Sequence, residues 1–246
     1  AGFLGCAWWP LDLAAHFRVQ YLLASAVLAG LYLLGRRLRS AAATFILVAI
    51  NGSLVLPFYM PRTADAPRQG ASVRVLLVNV NTHQGDPARV SAFVKEADPD
   101  VLILEEVSLA WLSALVGIRE HLPHDIVEPR GDNFGIGIWC RQKPSRAEIL
   151  YLGPAEVPSA VVELPVGTGT LGLLATHPLP PGGAEAATWR DQQLDHVARF
   201  VAEQSLPYLV VGDLNVSPWS CAYRRLVRYA GLTNAMQGRG VQATWP

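Results

Sequence analysis

The chain has 246 residues, 51% of them apolar and only 16% charged, against roughly 25% charged in ordinary soluble domains. Its net charge of zero conceals two unlike parts: residues 1–70 carry six arginines against two acids, and residues 71–246 carry fourteen basic against eighteen acidic residues. The acidic part has only two lysines and no evident basic stripe, which weighs against non-specific nucleic-acid binding. Three cysteines without a CxxC spacing are too few for a disulfide framework or a zinc site. Buried free thiols are expected, with a Cys140–Cys221 bridge as the alternative.

The first elements are apolar on all sides. Residues 19–35 and 41–59 form two runs close to the ~20 residues that cross a hydrocarbon core. Arg36, Arg37 and Arg39 lie between them, which places that turn in the cytoplasm and both outer flanks beyond it. Residues 1–60 therefore read as a membrane anchor of two transmembrane helices, with Trp8, Trp9, Tyr21, Tyr32 and Tyr59 as interfacial aromatics. The expected location is the cell inner membrane, with the rest of the chain on the extracytoplasmic side. Residues 61–72, rich in Pro, Arg and Ala, read as a linker.

From residue 73 strands and helices alternate. "VRVLLVNVN" (73–81) is a strand, and "DPARVSAFVKEA" (86–97) a helix with Val90, Phe93, Val94 and Ala97 on one face. "DVLILEEV" is a buried strand and "SLAWLSALVGI" a helix. "NFGIGIWCR" pairs with "AEILYLG" as an expected hairpin, and "SAVVELPV" with "GTLGLLATH" as another. A helix follows, with Leu194, Val197, Ala198 and Val201 on one side, then the strand "LPYLVVGDLN", and "SPWSCAYRRLVRYAGLTNA" (217–235) reads as a short last helix and its exit. "GTGTLG" (167–172) fits a dinucleotide-binding pattern, but a strand-like run follows it where a helix is required, so it is a hairpin turn. The expected fold class is α/β, a sandwich built on largely antiparallel sheets.

Several strands end in polar residues that could converge: Asn79, Glu105 and Glu106, His177, and Asp213 with Asn215. Each has an ordinary structural reading. Asn79 could be a satisfied buried amide, His177 a loop histidine, and Asp213 a turn cap. Because a strand alternates faces, at most one of Glu105 and Glu106 points into a shared site. Carboxylate and amide oxygens are the ligands that Mg²⁺ prefers, and a His and an Asp nearby could orient water and stabilise phosphoryl charge.

Together, "VRVLLVNVN", "DPDVLILEEV", "GIGIWCRQKP", "LLATHPLPP" and "VVGDLNVSPWS" resemble, in order and separation, the endonuclease/exonuclease/phosphatase superfamily. Its bacterial membrane-anchored branch is the nearest likeness. The resemblance implies a four-layered α/β sandwich of two mainly antiparallel sheets flanked by helices, over residues 73–246. It implies a metal-dependent phosphodiesterase using Mg²⁺, or Mn²⁺ in its place. Asn79 and Glu106 match the metal-site residues of the family, His177 its first catalytic histidine, Asp213 the water-orienting aspartate and Asn215 the phosphate-holding asparagine.

The family's closing Asp-His ending is not found before Pro246, and Asp195-His196, inside a helix pattern, is no substitute. The 246-residue form is therefore expected to be a fragment lacking its C-terminal end, with little activity. The expected substrate is a phosphate ester, either nucleic acid or a phospholipid head group, and the bilayer is a partner through the N-terminal helices. No feature identifies a protein partner. The alternative function is a non-catalytic binding or scaffold domain that keeps the fold without the complete site.

Overall fold

The computed structural model describes residues 5–60 and 71–242, so most of the expected linker and the "ATWP" terminus lie outside the described residues. By spatial contact the chain forms two units, one of residues 1–68 with 216–246 and one of residues 69–215. The expected domain of 73–246 runs across that division, since its last thirty-one residues group with the N-terminal helices.

In the first unit a short helix α1 (Trp9–Leu13) and a 3-10 turn lead into α2 (Arg18–Leu34), and α3 (Leu38–Val55) returns beside it. The turn between them is shorter than expected. Arg36 takes φ +54°, the helix resumes at Leu38, and Arg39 already lies in its first turn. Both helices are long and apolar enough to cross a membrane, with only 17% and 28% of their apolar windows buried.

Their buried residues are polar or mostly small: Arg18, Ser25 and Ala29 in α2, and Ala41, Thr44, Asn51, Gly52 and Val55 in α3. Arg18 donates to Asn51 Oδ1 (3.2 Å), and the Ser25 and Thr44 hydroxyls donate to carbonyls one turn back. The helix α7 (Cys221–Tyr229) completes the unit. Ser220 Oγ (2.8 Å) and the Cys221 N–H (3.1 Å) donate to Asp12, the Trp219 indole donates to the Leu54 carbonyl (3.0 Å), and Cys6 is disulfide-bonded to Cys221. That bridge corrects the expectation of free thiols at Cys6 and Cys221, and the alternative Cys140–Cys221 pairing with it, while Cys140 is a buried free thiol as expected. Asp12 caps α7 and so draws together two cysteines 215 positions apart, a pairing that no local spacing signals.

The second unit is a sandwich of two four-stranded sheets. The first has the order β1 (Val75–Asn79), β2 (Val101–Glu105), β4 (Ile136–Cys140), β3 (His124–Glu128), and the second the order β5 (Arg146–Tyr151), β6 (Pro158–Val166), β7 (Gly169–Thr176), β8 (Tyr208–Val211). In each sheet one pair is parallel, β1–β2 and β7–β8, and the others are antiparallel. The expected hairpin of residues 133–153 does not form. β4 pairs with β2 and with β3, a strand that the sequence pattern does not reveal, and β5 opens the other sheet. The β6–β7 hairpin does form, turning at Gly167.

Period-2 alternation assigns the layers. Val101, Ile103, Ile136 and Ile138 meet Ala160, Val162, Leu173 and Ala175 between the sheets. Leu102, Leu104 and Trp139 face outward onto Val94 of α4 (Pro87–Ala97), Trp111 of α5 (Leu109–Ala114) and the 3-10 turn that follows. Asp86 caps α4 by accepting from the Ala88 and Arg89 N–H groups. On the far side α6 (Ala184–Ala202) covers the second sheet: Gln193 reaches Thr176, and the Phe200 and Tyr208 rings meet edge to face at 5.8 Å. Helix, sheet, sheet and helix make the expected four layers.

Candidate active site

All five residues singled out from the sequence lie in the second unit, at the C-terminal ends of four strands. β1 and β2 run parallel with Asn79 beside Glu105. A regular strand would send Glu106 to the helix-covered face. Instead Glu106 takes φ +64°, a left-handed turn that leaves the sheet. Its Oε1 accepts from Asn79 Nδ2 (2.8 Å), its Oε2 accepts from the Thr82 N–H (3.3 Å), and its carbonyl accepts from the Thr82 hydroxyl (2.7 Å).

Glu105 keeps the strand's parity and is fully buried between the sheets. Both of its oxygens accept from the Asp213 N–H at 3.1 Å. Burial pushes its carboxyl up to about 8, opposed by that backbone donor and reinforced by the charges of Asp213 and Glu106. Near neutral pH it is largely a neutral acid.

His177 follows β7 and is buried. Below it Ser159, Thr176 and Gln193 form a buried hydrogen-bonded chain, and the Phe134 ring lies 5.6 Å from its own. Burial lowers the His177 pKa, against the pull of Asp213 and Glu106. Its Nδ1 is buried with no hydrogen-bond partner among the described residues.

β8 is followed by Gly212, whose φ of +155° and tight surroundings exclude a side chain. An added Cβ would lie 1.9 Å from the Thr176 carbonyl and 2.8 Å from Glu105 Oε1. This close approach brings the chain after β8 against the ends of β7 and β2. Asp213 Oδ1 then accepts from the Asn215 N–H (3.1 Å), and Asn215, at φ +52°, gives one amide hydrogen to the Pro178 carbonyl (2.9 Å). Arg190 of α6, 2% exposed, donates to the Asn215 carbonyl (3.2 Å) and pairs with Asp191 at 2.7 Å.

The structure thus brings Asn79 and Glu106 together, ties Asp213 to Asn215, and sets His177 within electrostatic range of Asp213 and Glu106. Asp195-His196 stays inside α6, with His196 bonded to the Leu152 carbonyl. Sequence reasoning weighed Glu105 only as the alternative to Glu106, and it missed three supporting residues: Thr82, Phe134 and Arg190. Arg190 was findable, since it stands four residues before Leu194, on the apolar face of α6.

Among the described residues no group of three or more His, Cys, Asp or Glu is arranged to hold a metal ion. That argues against a protein-built cage of the Zn²⁺ or Ca²⁺ kind. A single oriented carboxylate with an amide oxygen beside it fits Mg²⁺, which keeps most of its waters and takes the rest of its shell from substrate. Asn79 Oδ1 also accepts from the Asn81 N–H (3.0 Å), so its amide holds the Glu106 carboxylate in orientation and keeps one lone pair for a cation.

Residues 76–246 match the Endonuclease/Exonuclease/phosphatase family. Among solved structures, sphingomyelinase C from Streptomyces griseocarneus is similar with a TM-score of 0.56 and 21% identity, over 67% of this chain and 71% of that one. A humanized D. rerio TDP2 bearing 14 mutations gives 0.53 and 19% identity, over 66% and 72%. A beta hairpin deletion mutant of beta toxin from Staphylococcus aureus gives 0.53 and 13%, over 67% and 74%. At these identities the likeness is one of fold. Curated protein sequences give no match. The match over most of the chain and the paired four-stranded sheets agree, and the chain belongs to the endonuclease/exonuclease/phosphatase family.

Proposed function

We propose that the chain is a membrane-anchored phosphodiesterase that directs water onto a phosphate ester with the help of a divalent cation at Glu106. The observation that carries this reading is the meeting of Asn79–Glu106 from one sheet with His177 and Asp213–Asn215 from the other. Members of the family are phosphoric ester hydrolases. A bound Mg²⁺, or Mn²⁺ in its place, would neutralise charge on the phosphate oxygens.

The chain's own groups account for the remainder. Asp213 has Oδ1 engaged by Asn215, which leaves Oδ2 to accept a hydrogen bond from water and aim it at phosphorus. Asn215 has given one amide hydrogen to Pro178 and can offer the second to a phosphate oxygen. His177, kept neutral by burial, can offer its N–H to the same group as charge develops.

The substrate remains one class, a phosphodiester of a phospholipid head group or of nucleic acid. Anchorage beside a bilayer favours the lipid. Three features support anchorage in the inner membrane with the sandwich on the extracytoplasmic side. The α2 and α3 surfaces are apolar and exposed, Leu34 at 84% and Val27 at 63%. An arginine-rich turn joins them. The Cys6–Cys221 bridge suits an oxidising compartment.

The test uses the gene-encoded protein in detergent, assayed on sphingomyelin-type and nucleotide diesters with and without Mg²⁺. Asp213→Asn and His177→Ala should each lower kcat by roughly 10²–10⁴-fold, and Glu106→Gln should abolish Mg²⁺ binding by calorimetry. Unchanged turnover in Asp213→Asn would sink the assignment. A reporter enzyme active only outside the cytoplasm, fused after Ala71, should be active; a silent fusion overturns the orientation.

A further inference from the structure

The helix α7 has two unlike sides. Ala222 and Leu226 are buried, while Arg224, Arg225, Arg228 and Tyr229 are exposed. At 100° per residue the three arginines fall within about a third of the circumference, opposite Leu226 and Tyr223. Residues 216–246 contain four arginines, the fourth being Arg239, and no acidic residue. This is the basic stripe that the sequence did not reveal, because the arginines stand among apolar residues and become one face only when the helix forms.

The helix is fixed to one end of the apolar pair. Trp219, immediately before it, donates to the Leu54 carbonyl near the end of α3 and packs edge to face on Phe58 at 5.6 Å. Asp12, just ahead of α2, accepts from Ser220 and Cys221, and Cys6 is bonded to Cys221. The Gly240 N–H donates to the Phe58 carbonyl (2.7 Å), which holds Arg239 beside the same end. An element tied at these points to the ends of two spanning helices lies at head-group depth. Exposed arginines with a neighbouring aromatic, Tyr229 at 64% exposure, have the chemistry of that layer: guanidinium forks for phosphate and an amphipathic ring.

We propose that the arginine face of α7, centred on Arg224 and Arg228, binds the phosphate head groups of anionic phospholipids in the outer leaflet. The inference rests on the reading of α2 and α3 as spanning helices. The lipid is the occupant because the face sits on the anchor and presents Arg224 and Arg228, both exposed, beside the exposed Tyr229.

The experiment follows thermal unfolding of the full chain in a zwitterionic detergent while phosphatidylglycerol, phosphatidylcholine or inorganic phosphate is titrated in. Phosphatidylglycerol should raise the midpoint saturably and salt-sensitively, and phosphatidylcholine should not. Each of Arg224→Gln and Arg228→Gln should weaken the apparent phosphatidylglycerol affinity about fivefold, and the pair about 25-fold. An Arg36→Gln/Arg37→Gln variant, at the opposite turn, should leave the part lost with Arg224 and Arg228 intact.

Equal shifts with both lipids, or a full phosphatidylglycerol response in the double variant, overturn the proposal. So does an equal response to inorganic phosphate or to an oligonucleotide, which would make the face a general anion or nucleic-acid site. Extraction of the wild-type chain from membranes by alkaline carbonate would instead refute the spanning reading. That assay does not depend on α7, so the two failures are distinguishable.

Discussion

The two units of this chain differ in what they bury and what they expose. The unit of residues 1–68 and 216–246 carries ten arginines against two acids, whereas residues 69–215 carry ten basic against eighteen acidic residues. In the first, Leu23, Val27, Leu31, Leu34, Ile46 and Leu47 are exposed, and Asp12, Arg18, Ser25, Thr44 and Asn51 are buried. In the second, the interior is Val, Leu, Ile and Ala, and its buried polar groups are concentrated at Glu105, Ser159, Thr176, His177, Arg190 and Gln193. Polar burial in the first unit pairs Arg18 with Asn51 and returns the Ser25 and Thr44 hydroxyls to carbonyls of their own helices, as the proposed spanning pair requires. In the second it supports the site, where buried polar networks are costly unless complete.

The strongest way to break the second unit is at Gly212. Replacing it with Val sets a side chain into the Thr176 carbonyl. We expect a loss of more than about 4 kcal/mol, read as failure of the purified chain to give a cooperative melt for the sandwich. A variant with wild-type stability would mean that the β8 turn is not held as described.

Glu105 sharpens the contrast through pH. Its carboxyl is raised from an ordinary 4.5 to about 8, so between those values the folded state keeps a proton that the unfolded state releases. Stability therefore falls as pH rises through that window and levels off above it. Glu105→Gln removes this slope. In metal-free buffer it should match the wild type near pH 4.5 and exceed it by up to about 4 kcal/mol above pH 8. Parallel pH profiles of the two melts would refute the raised pKa.

Reduction tests the first unit. Cys6→Ser should lower the stability of residues 1–68 with 216–246 by about 3 kcal/mol, followed by protease sensitivity around α7, while the β-sheet signal of the sandwich is retained. The smallest effect is expected at Cys140. It is buried, and burial pushes its thiol up to about 12. It should remain unlabelled by maleimide at pH 7.5 until the sandwich unfolds, and labelling of the native protein would contradict its place between the sheets.

Much of the second unit could be read directly from the sequence. Its strands are short apolar runs with turn residues between them, and polar residues at strand ends pick out the sheet edge where Asn79, Glu106, His177, Asp213 and Asn215 stand. The choice of Glu106 over Glu105 follows from the family resemblance, because alternation alone leaves the two equivalent. The left-handed turn at Glu106 that brings it to the edge has no local signature. β3 and the separation of β4 from β5 were hidden for a different reason: neighbouring strands that part into different sheets look, in sequence, like a hairpin. The bridge to Cys6 was hidden because it depends on Asp12 capping a helix more than two hundred residues away.

That bridge has a consequence for biogenesis. It closes a covalent loop between cysteines 215 positions apart, enclosing both apolar helices and the whole sandwich. Cys6 must wait until both apolar helices and every strand of the sandwich have been synthesised before its mate emerges, so the bridge cannot close before the sandwich exists as chain. Once closed, residues 6–221 form a covalent ring. A single proteolytic cut anywhere between the two cysteines would leave both pieces joined on a non-reducing gel, and only a reductant would separate them.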